Sequence, residues 1–204
     1  NIHIQDPKVN LDNFNYVIAP EHDLVIVYDG VRVPLEVKRA SPDWMQVKLT
    51  YERSDSTWSV KDTNTRNPEG CKDIFNEIIG KRTLWDSAVP SFVSTNMMPF
   101  AKDWAEERKA FKDIYIPCSP ETISKLYEAK GCKYIQIAGK GLYRLTPDNP
   151  LGLDVPLFHC DQRIRIRIKI HSSCRKSDGR ASLSITAAAQ PTSFRDIEES
   201  PISL

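Results

Sequence analysis

The stretch Asp23-Leu-Val-Ile-Val-Tyr-Asp-Gly-Val-Arg-Val-Pro-Leu-Glu-Val-Lys38 decides the reading of this chain. Residues 24–28 are a compact run rich in β-branched side chains. Asp29-Gly30 follows, the strongest short hairpin signal, and residues 31–38 return as a second strand. With a two-residue loop, Tyr28 faces Val31, Val27 faces Arg32 and, counting outward, Asp23 faces Glu36. Directly opposed residues hold their Cβ atoms about 4.5–5.5 Å apart. Side chains alternate between faces, so Lys38 joins Glu36 and Asp23 on one face. The other face carries Leu24, Ile26, Tyr28, Val31, Val33, Leu35 and Val37, which is wholly apolar and expected to be core.

Two carboxylates thus oppose each other beside a lysine. Like charges directly opposite destabilise a sheet, and a divalent cation removes that penalty. Hard oxygen ligands supplied by few protein groups suit Mg²⁺, which keeps several waters. Lys38 is then placed to orient or deprotonate an attacking water, or to hold a phosphate. The alternative is the polar face of an ordinary hairpin, with Lys38 neutralising the acids. An acid, a short strand pair and then Glu36-Val37-Lys38 resembles the PD-(D/E)XK nuclease signature. That resemblance implies a restriction-endonuclease-like α/β fold, a mixed β-sheet flanked by helices. It implies Mg²⁺ held by Asp23, Glu36 and the backbone carbonyl of Val37, with Asp23, Glu36 and Lys38 as the catalytic set. The chain departs from the signature at one point: Glu21 and His22 separate Pro20 from Asp23. Glu21 is a possible additional acid opposite Lys38, and His22 a weaker candidate base.

Outward from the hairpin, residues 45–52 can add a third strand, and 53–70 read as a polar loop. Residues 71–82 and 100–112 read as helices, with residues 113–117 as a strand between the second helix and the next. Ser119 as cap, Pro120 at the first helical position and Glu121 in the first turn start another helix, and Gly131 ends it. Strands 133–138 and 142–145 flank a Gly139-Lys140-Gly141 turn, and a long strand covers 162–171. Residues 1–20 look irregular, and 172–204 look like a small strand plus a loose polar tail. The expected organisation is one α/β domain over residues 1–204. Its catalytic hairpin covers about 20–38 and its DNA-recognition segments about 133–171.

Arg163, Arg165, Arg167 and Lys169 alternate with Ile164, Ile166, Ile168 and Ile170. Strand period spaces such cations about 6.6 Å apart, suited to tracking a phosphate backbone or reaching base edges. The alternative is a solvated edge strand whose charges block aggregation. Residues 134–143 and this arginine strand are similar in layout to parts of type II restriction endonucleases. That likeness implies Mg²⁺-dependent cutting of double-stranded DNA at a short specific sequence by a homodimer, with Gln136 reading adenine and Lys140 contacting phosphate or guanine. Gln46 and Lys48, on the third strand, are further candidates near the metal. A structure-selective repair, resolvase or transposon nuclease is the alternative enzyme. A non-catalytic DNA-binding protein is the alternative outside enzymology.

The 204 residues include 28 Lys and Arg against 27 Asp and Glu, a net charge of +1. With 40% hydrophobic and 27% charged residues, disordered and collagen-like classes are excluded. No apolar run approaches the ~18 residues of a membrane span, and no signal-peptide pattern opens the chain, so no membrane partner is expected. The chain opens on Asn1, consistent with a trimmed natural N-terminus. Five cysteines with no CxxC spacing fit a reducing, cytoplasmic compartment. His159, Cys160, His171 and Cys174 do not make a closed zinc spacing. The glycine turn is no P-loop, and no GxSxG elbow is present.

Overall fold

The computed structural model describes residues 3–4, 14–19, 22–40, 43–61, 68–80, 82–95, 98–171 and 179–203. Strands β3 (His22–Tyr28) and β4 (Val31–Lys38) form the expected hairpin. Their register pairs Tyr28 with Val31, Val27 with Arg32 and Leu24 with Leu35. Asp29 and Gly30 take φ of 47° and 78°, the pair of positive values that a two-residue type I′ turn requires. β2 (Phe14–Ala19) pairs antiparallel outside β3. On the other side, β4 pairs in parallel with β8 (Tyr134–Ile137), and β9 (Gly141–Arg144) returns antiparallel. This first sheet has the order β2-β3-β4-β8-β9.

The apolar face of the hairpin is core, as its pattern requires. Ile26, Val33 and Leu35 are buried with Tyr134, Leu142, Leu151, Leu153, Val155 and Ile202, and Leu24, Tyr28 and Val37 pack at the margin. Val31, beside the turn, is exposed.

Five of the remaining strands form a second sheet, not an extension of the first. Its order is β6 (Thr57–Val60), β5 (Met45–Glu52), β11 (Ser182–Pro191), β10 (Gln162–His171) and β7 (Ile114–Cys118). All its neighbours are antiparallel. The mixed α/β class holds, but the expected single mixed sheet flanked by helices is corrected to two five-stranded sheets with few helices. The strand at 45–52 is real but joins the second sheet, and the supposed loop at 53–70 contains β6. The supposed irregular start contains β2. The segment read as a small strand plus a loose tail does contain a strand, but it is β11, ten residues long and inserted between β5 and β10. Alanine is depleted in strands, and the Ala187-Ala188-Ala189 run hid this one. Beside Ile164 and Ile166, the small Ala189 and Ala187 leave room for a helix to approach.

The inner face of the second sheet buries Ile164, Ile166, Ile185, Met45, Val47, Leu49, Trp58 and Val60. The same core takes Cys71, Phe75 and Ile79 from α1 (Glu69–Ile79). It also takes Ile123, Leu126 and Tyr127 from α4 (Thr122–Ala129), and Ile135, Ile137 and Tyr143 from the first sheet. The two sheets thus share a core with α1 and α4. A 3-10 turn at Trp85–Ser87, the short α2 (Ser91–Thr95), the charged α3 (Ala101–Ala110) and a two-stranded pair of β1 (His3–Ile4) with β12 (Ile202–Ser203) complete the described elements.

Helix α4 starts later than its sequence signals indicate. Glu121 is the N-cap residue and makes no side-chain cap bond, while the Ser119 hydroxyl bonds the Glu121 carboxylate instead. The cap comes from another element: Oε1 of buried Gln162, on β10, accepts from the Ile123 backbone N–H at 2.7 Å. Local capping rules see only neighbours in sequence, so a cap donated across the fold is invisible to them.

Gly141 takes a φ of 109°, and a Cβ there would meet the Ile202 carbonyl oxygen at 2.6 Å and Ser200 Cβ at 2.8 Å. Gly141→Ala is expected to cost about 2 kcal/mol or more, from the disfavoured φ and the displaced C-terminal strand. Thermal melting checks this, and an unchanged midpoint would mean that β12 moves aside freely.

Candidate active site

Alternation along β4 puts Pro34, Glu36 and Lys38 on the face opposite the hairpin's apolar core. Glu36 is paired with Ile135 and Lys38 with Ile137, so both point toward the core shared with α4. Glu36 is only 2% exposed. Its Oε1 is in direct contact with Lys38 Nζ, and its Oε2 accepts from Lys130 Nζ at 2.9 Å. Both ammonium groups lie over the Tyr127 ring, at 5.1 and 5.5 Å from its centroid. An uncompensated carboxylate at this depth would cost several kcal/mol, and the two lysines supply the countercharge. Each lysine side chain is 16% exposed, so the cluster borders on solvent.

Among the described residues the charges are two ammoniums against one carboxylate, an excess of one positive charge. Asp23 lies in β3, two residues from Val25, whose partner Pro34 precedes Glu36 by two. The Asp23 side chain lies outside the described residues, as does Glu21. Val37 is opposite Gln136 in the β4–β8 ladder, with its side chain at the margin of the hairpin core. Among the described residues no group of three or more His, Cys, Asp or Glu side chains is placed to hold a metal ion.

Lys130 and Tyr127 were not foreseen from the sequence. They sit three residues apart at the end of the helix leading into β8, the strand parallel to β4. A helix in that crossover returns its C-terminal end over the sheet, which was the available signal. Cys71, on α1, donates its thiol to the Leu126 carbonyl at 3.2 Å. Burial pushes its pKa up to about 11, with nearby Lys130 pulling down and Glu36 pushing up. It is thus a neutral thiol at physiological pH and no nucleophile.

The cation row lies on the outer face of the second sheet, opposite Ile164 and Ile166. β10 is interior, between β11 and β7, so the row is not an edge device. Arg163 stacks on the Tyr115 ring, 4.3 Å from its centroid, and its Nε donates to Gln190 at 2.9 Å. Arg165 grips Asp113 through Nε and a terminal amine, at 2.8 and 2.6 Å, and approaches Asp43 at 3.6 Å. Arg167 pairs with Asp43 at 2.7 Å, and Lys169 donates to Gln46 at 3.3 Å. Gln46 and exposed Lys48 therefore belong to this face, away from Glu36. Two arginines are neutralised internally; Arg163 keeps a stacked guanidinium beside Tyr115, which is 47% exposed.

Gln136 is 6% exposed, and its amide donates to the Ser203 hydroxyl at 3.1 Å. It thus faces the C-terminal strand, not an open groove. Lys140 folds over Phe194, 5.8 Å from the ring centroid, and lies 4.0 Å from the Glu199 carboxylate. Neither joins the Arg163–Lys169 row.

Two features tie the row to the Glu36 cluster. Only five chain steps separate Lys38 from Asp43, so their Cα atoms are at most about 18 Å apart. Helix α4, eight residues and so about 12 Å long, is capped by Gln162 beside Arg163, and its last turn is followed at once by Lys130. No protein-family model matches the chain, and neither a curated protein nor a solved structure matches it.

Proposed function

We propose that this chain is a magnesium-dependent endonuclease that hydrolyses phosphodiester bonds in double-stranded DNA, with Asp23, Glu36 and Lys38 as its cutting centre. The observation that carries the reading is the Glu36–Lys38 pair. It sits on a strand in the middle of a mixed sheet, and the hairpin register, continued one step past Leu24–Leu35, would bring Asp23 opposite Glu36. The finer reading is a type II enzyme, a homodimer that recognises a short sequence.

The donor chemistry fits a hard divalent cation: the Glu36 carboxylate, the Asp23 carboxylate and the Val37 carbonyl are all oxygen ligands. The fit has a condition, because both Glu36 oxygens are in ammonium contact, and at least one lysine must release its hold. A bound Mg²⁺ would polarise the phosphoryl oxygen and acidify a coordinated water. Lys38 orients the attacking water and offsets the charge gathering on the phosphate. The arginine row, on the outer face of the second sheet, draws the phosphate backbone, and Arg163 on Tyr115 is its group with least internal neutralisation.

A second reading has its own observation. Among its described residues the Glu36 cluster carries an excess positive charge, which favours an anion without any metal. That charge and the outer arginine face together fit a non-catalytic protein that binds polyanions. The test is a cleavage assay on long duplex DNA with Mg²⁺ and, separately, with EDTA. Discrete fragments with Mg²⁺ alone are expected. A smear or nicking would retain the centre but move the substrate to DNA of particular shape. Intact DNA in both lanes from folded protein would overturn the nuclease reading in favour of polyanion binding.

A further inference from the structure

The outer face of the second sheet holds a polar group that the fold leaves unused. Thr186, on β11, is 0% exposed, and among the described residues its hydroxyl has no hydrogen-bond partner. A buried hydroxyl left unpaired is costly, and one kept in a native fold calls for a physical explanation.

The sheet register fixes its surroundings. Thr186 stands opposite Arg167 on β10 and opposite Lys48 on β5, so the three share one rung across the face. Lys169 is opposite Ser184, one outer-face rung to one side, and Gln46 is opposite Ala188, one rung to the other. The contact from Lys169 Nζ to Gln46 Oε1, at 3.3 Å, therefore crosses above Thr186, and a flexible lysine stem roofs the hydroxyl. Lys48 is exposed beside it, and Arg167 leans away to Asp43 at 2.7 Å. Among these described residues three cations stand against one carboxylate, an excess of two positive charges.

We infer that Thr186, Lys48 and Lys169 form a seat for one phosphate group, with Arg167 on its flank: Lys169 swings off Gln46, and the uncovered hydroxyl donates to a phosphate oxygen. Donors arriving from a floor and two flanks suit a tetrahedral oxyanion, whose oxygens only accept. The seat rests on the reading of this face as a contact for the phosphate backbone, and it does not depend on the cutting centre at Glu36.

Phosphate can come as the free ion or within nucleic acid, and titrations with inorganic phosphate and with a short DNA duplex, both in EDTA, separate the two. Thr186→Val keeps the branched shape and is expected to weaken binding about tenfold, the worth of one hydrogen bond to a charged group. Its melting point should equal or exceed that of wild type, because an unpaired buried hydroxyl is gone. Thr186→Ser keeps the hydroxyl and should bind close to wild type. Lys48→Gln should weaken duplex binding and reduce the slope of log affinity against log salt by about 0.9, the share of one phosphate. Lys48 is exposed, so this variant carries the test should the Val variant fail to fold. A loss with the duplex alone assigns the seat to the nucleic-acid backbone, and a loss with both ligands makes it a site for phosphate from either source. Wild-type affinities in folded Thr186→Val would overturn the seat and leave the arginine face as a DNA contact. If wild-type protein binds neither ligand, the seat and that reading of the face fall together, and the cleavage assay still judges Glu36 separately.

Discussion

Lys38→Ala is expected to slow phosphodiester hydrolysis by about two to four orders of magnitude, while DNA affinity stays close to that of wild type. The physical reason is location. Lys38 touches Glu36 at the inner end of a strand, apart from the arginine face that meets the phosphate backbone in the proposed reading. It therefore acts on the reacting group and contributes little to ground-state binding. Single-turnover cleavage at saturating protein, paired with a binding titration in Ca²⁺, separates the two effects. Cutting at the wild-type rate would remove Lys38 from the centre. An equal loss of binding and cutting would make it a phosphate-binding residue only.

Glu36→Ala should have the largest effect on stability. It leaves Lys38 and Lys130 over Tyr127 without the carboxylate that bridges them. Removing one partner of a buried ionic cluster costs about 3–5 kcal/mol. Both ammoniums border on solvent, which places the expected loss near the lower end, about 3 kcal/mol. For a domain of this size that lowers the melting point by about 6–10 °C. Lys130→Met removes one of two countercharges and should cost less. A loss for Glu36→Ala below about 1 kcal/mol would show that the lysines escape to water and that the cluster behaves as a surface pair.

The hairpin was legible because every level agreed on it. Asp29-Gly30 set the turn, β-branched runs set the strands, and the period of two separated Leu35 from Glu36. Four elements were not legible, each for a physical reason. The length and interior place of β11, read only as a small strand before a tail, were hidden by three alanines, although Leu183, Ile185, Ala187 and Ala189 alternate with polar Ser182, Ser184 and Thr186 in the pattern of a half-buried strand. The cap of α4 was hidden because Gln162 lies on another strand, about forty residues away in sequence. Lys130 was passed over as an ordinary residue at a helix end. The arginine row was read correctly as one face of a strand. Its partners Asp43 and Asp113 could not be foreseen, because they arrive from a loop end and a strand flank that only the assembled sheet brings together.

The position of β11 also governs when the protein can assemble. β5 finds one neighbour, β6, within a few residues, but its other neighbour is made only with residues 182–191. At about 5–20 residues per second of synthesis, the β5 edge waits on the order of ten seconds. For that interval the alternating Met45, Val47 and Leu49 lie beside an unpaired ladder, a template for mispairing with other chains. Low-order, local folding routes are closed to such a sheet, so a slow final step is built into its topology. The arginine-bearing face therefore forms only after β11, and a nascent chain lacks it until residues 182–191 have been made.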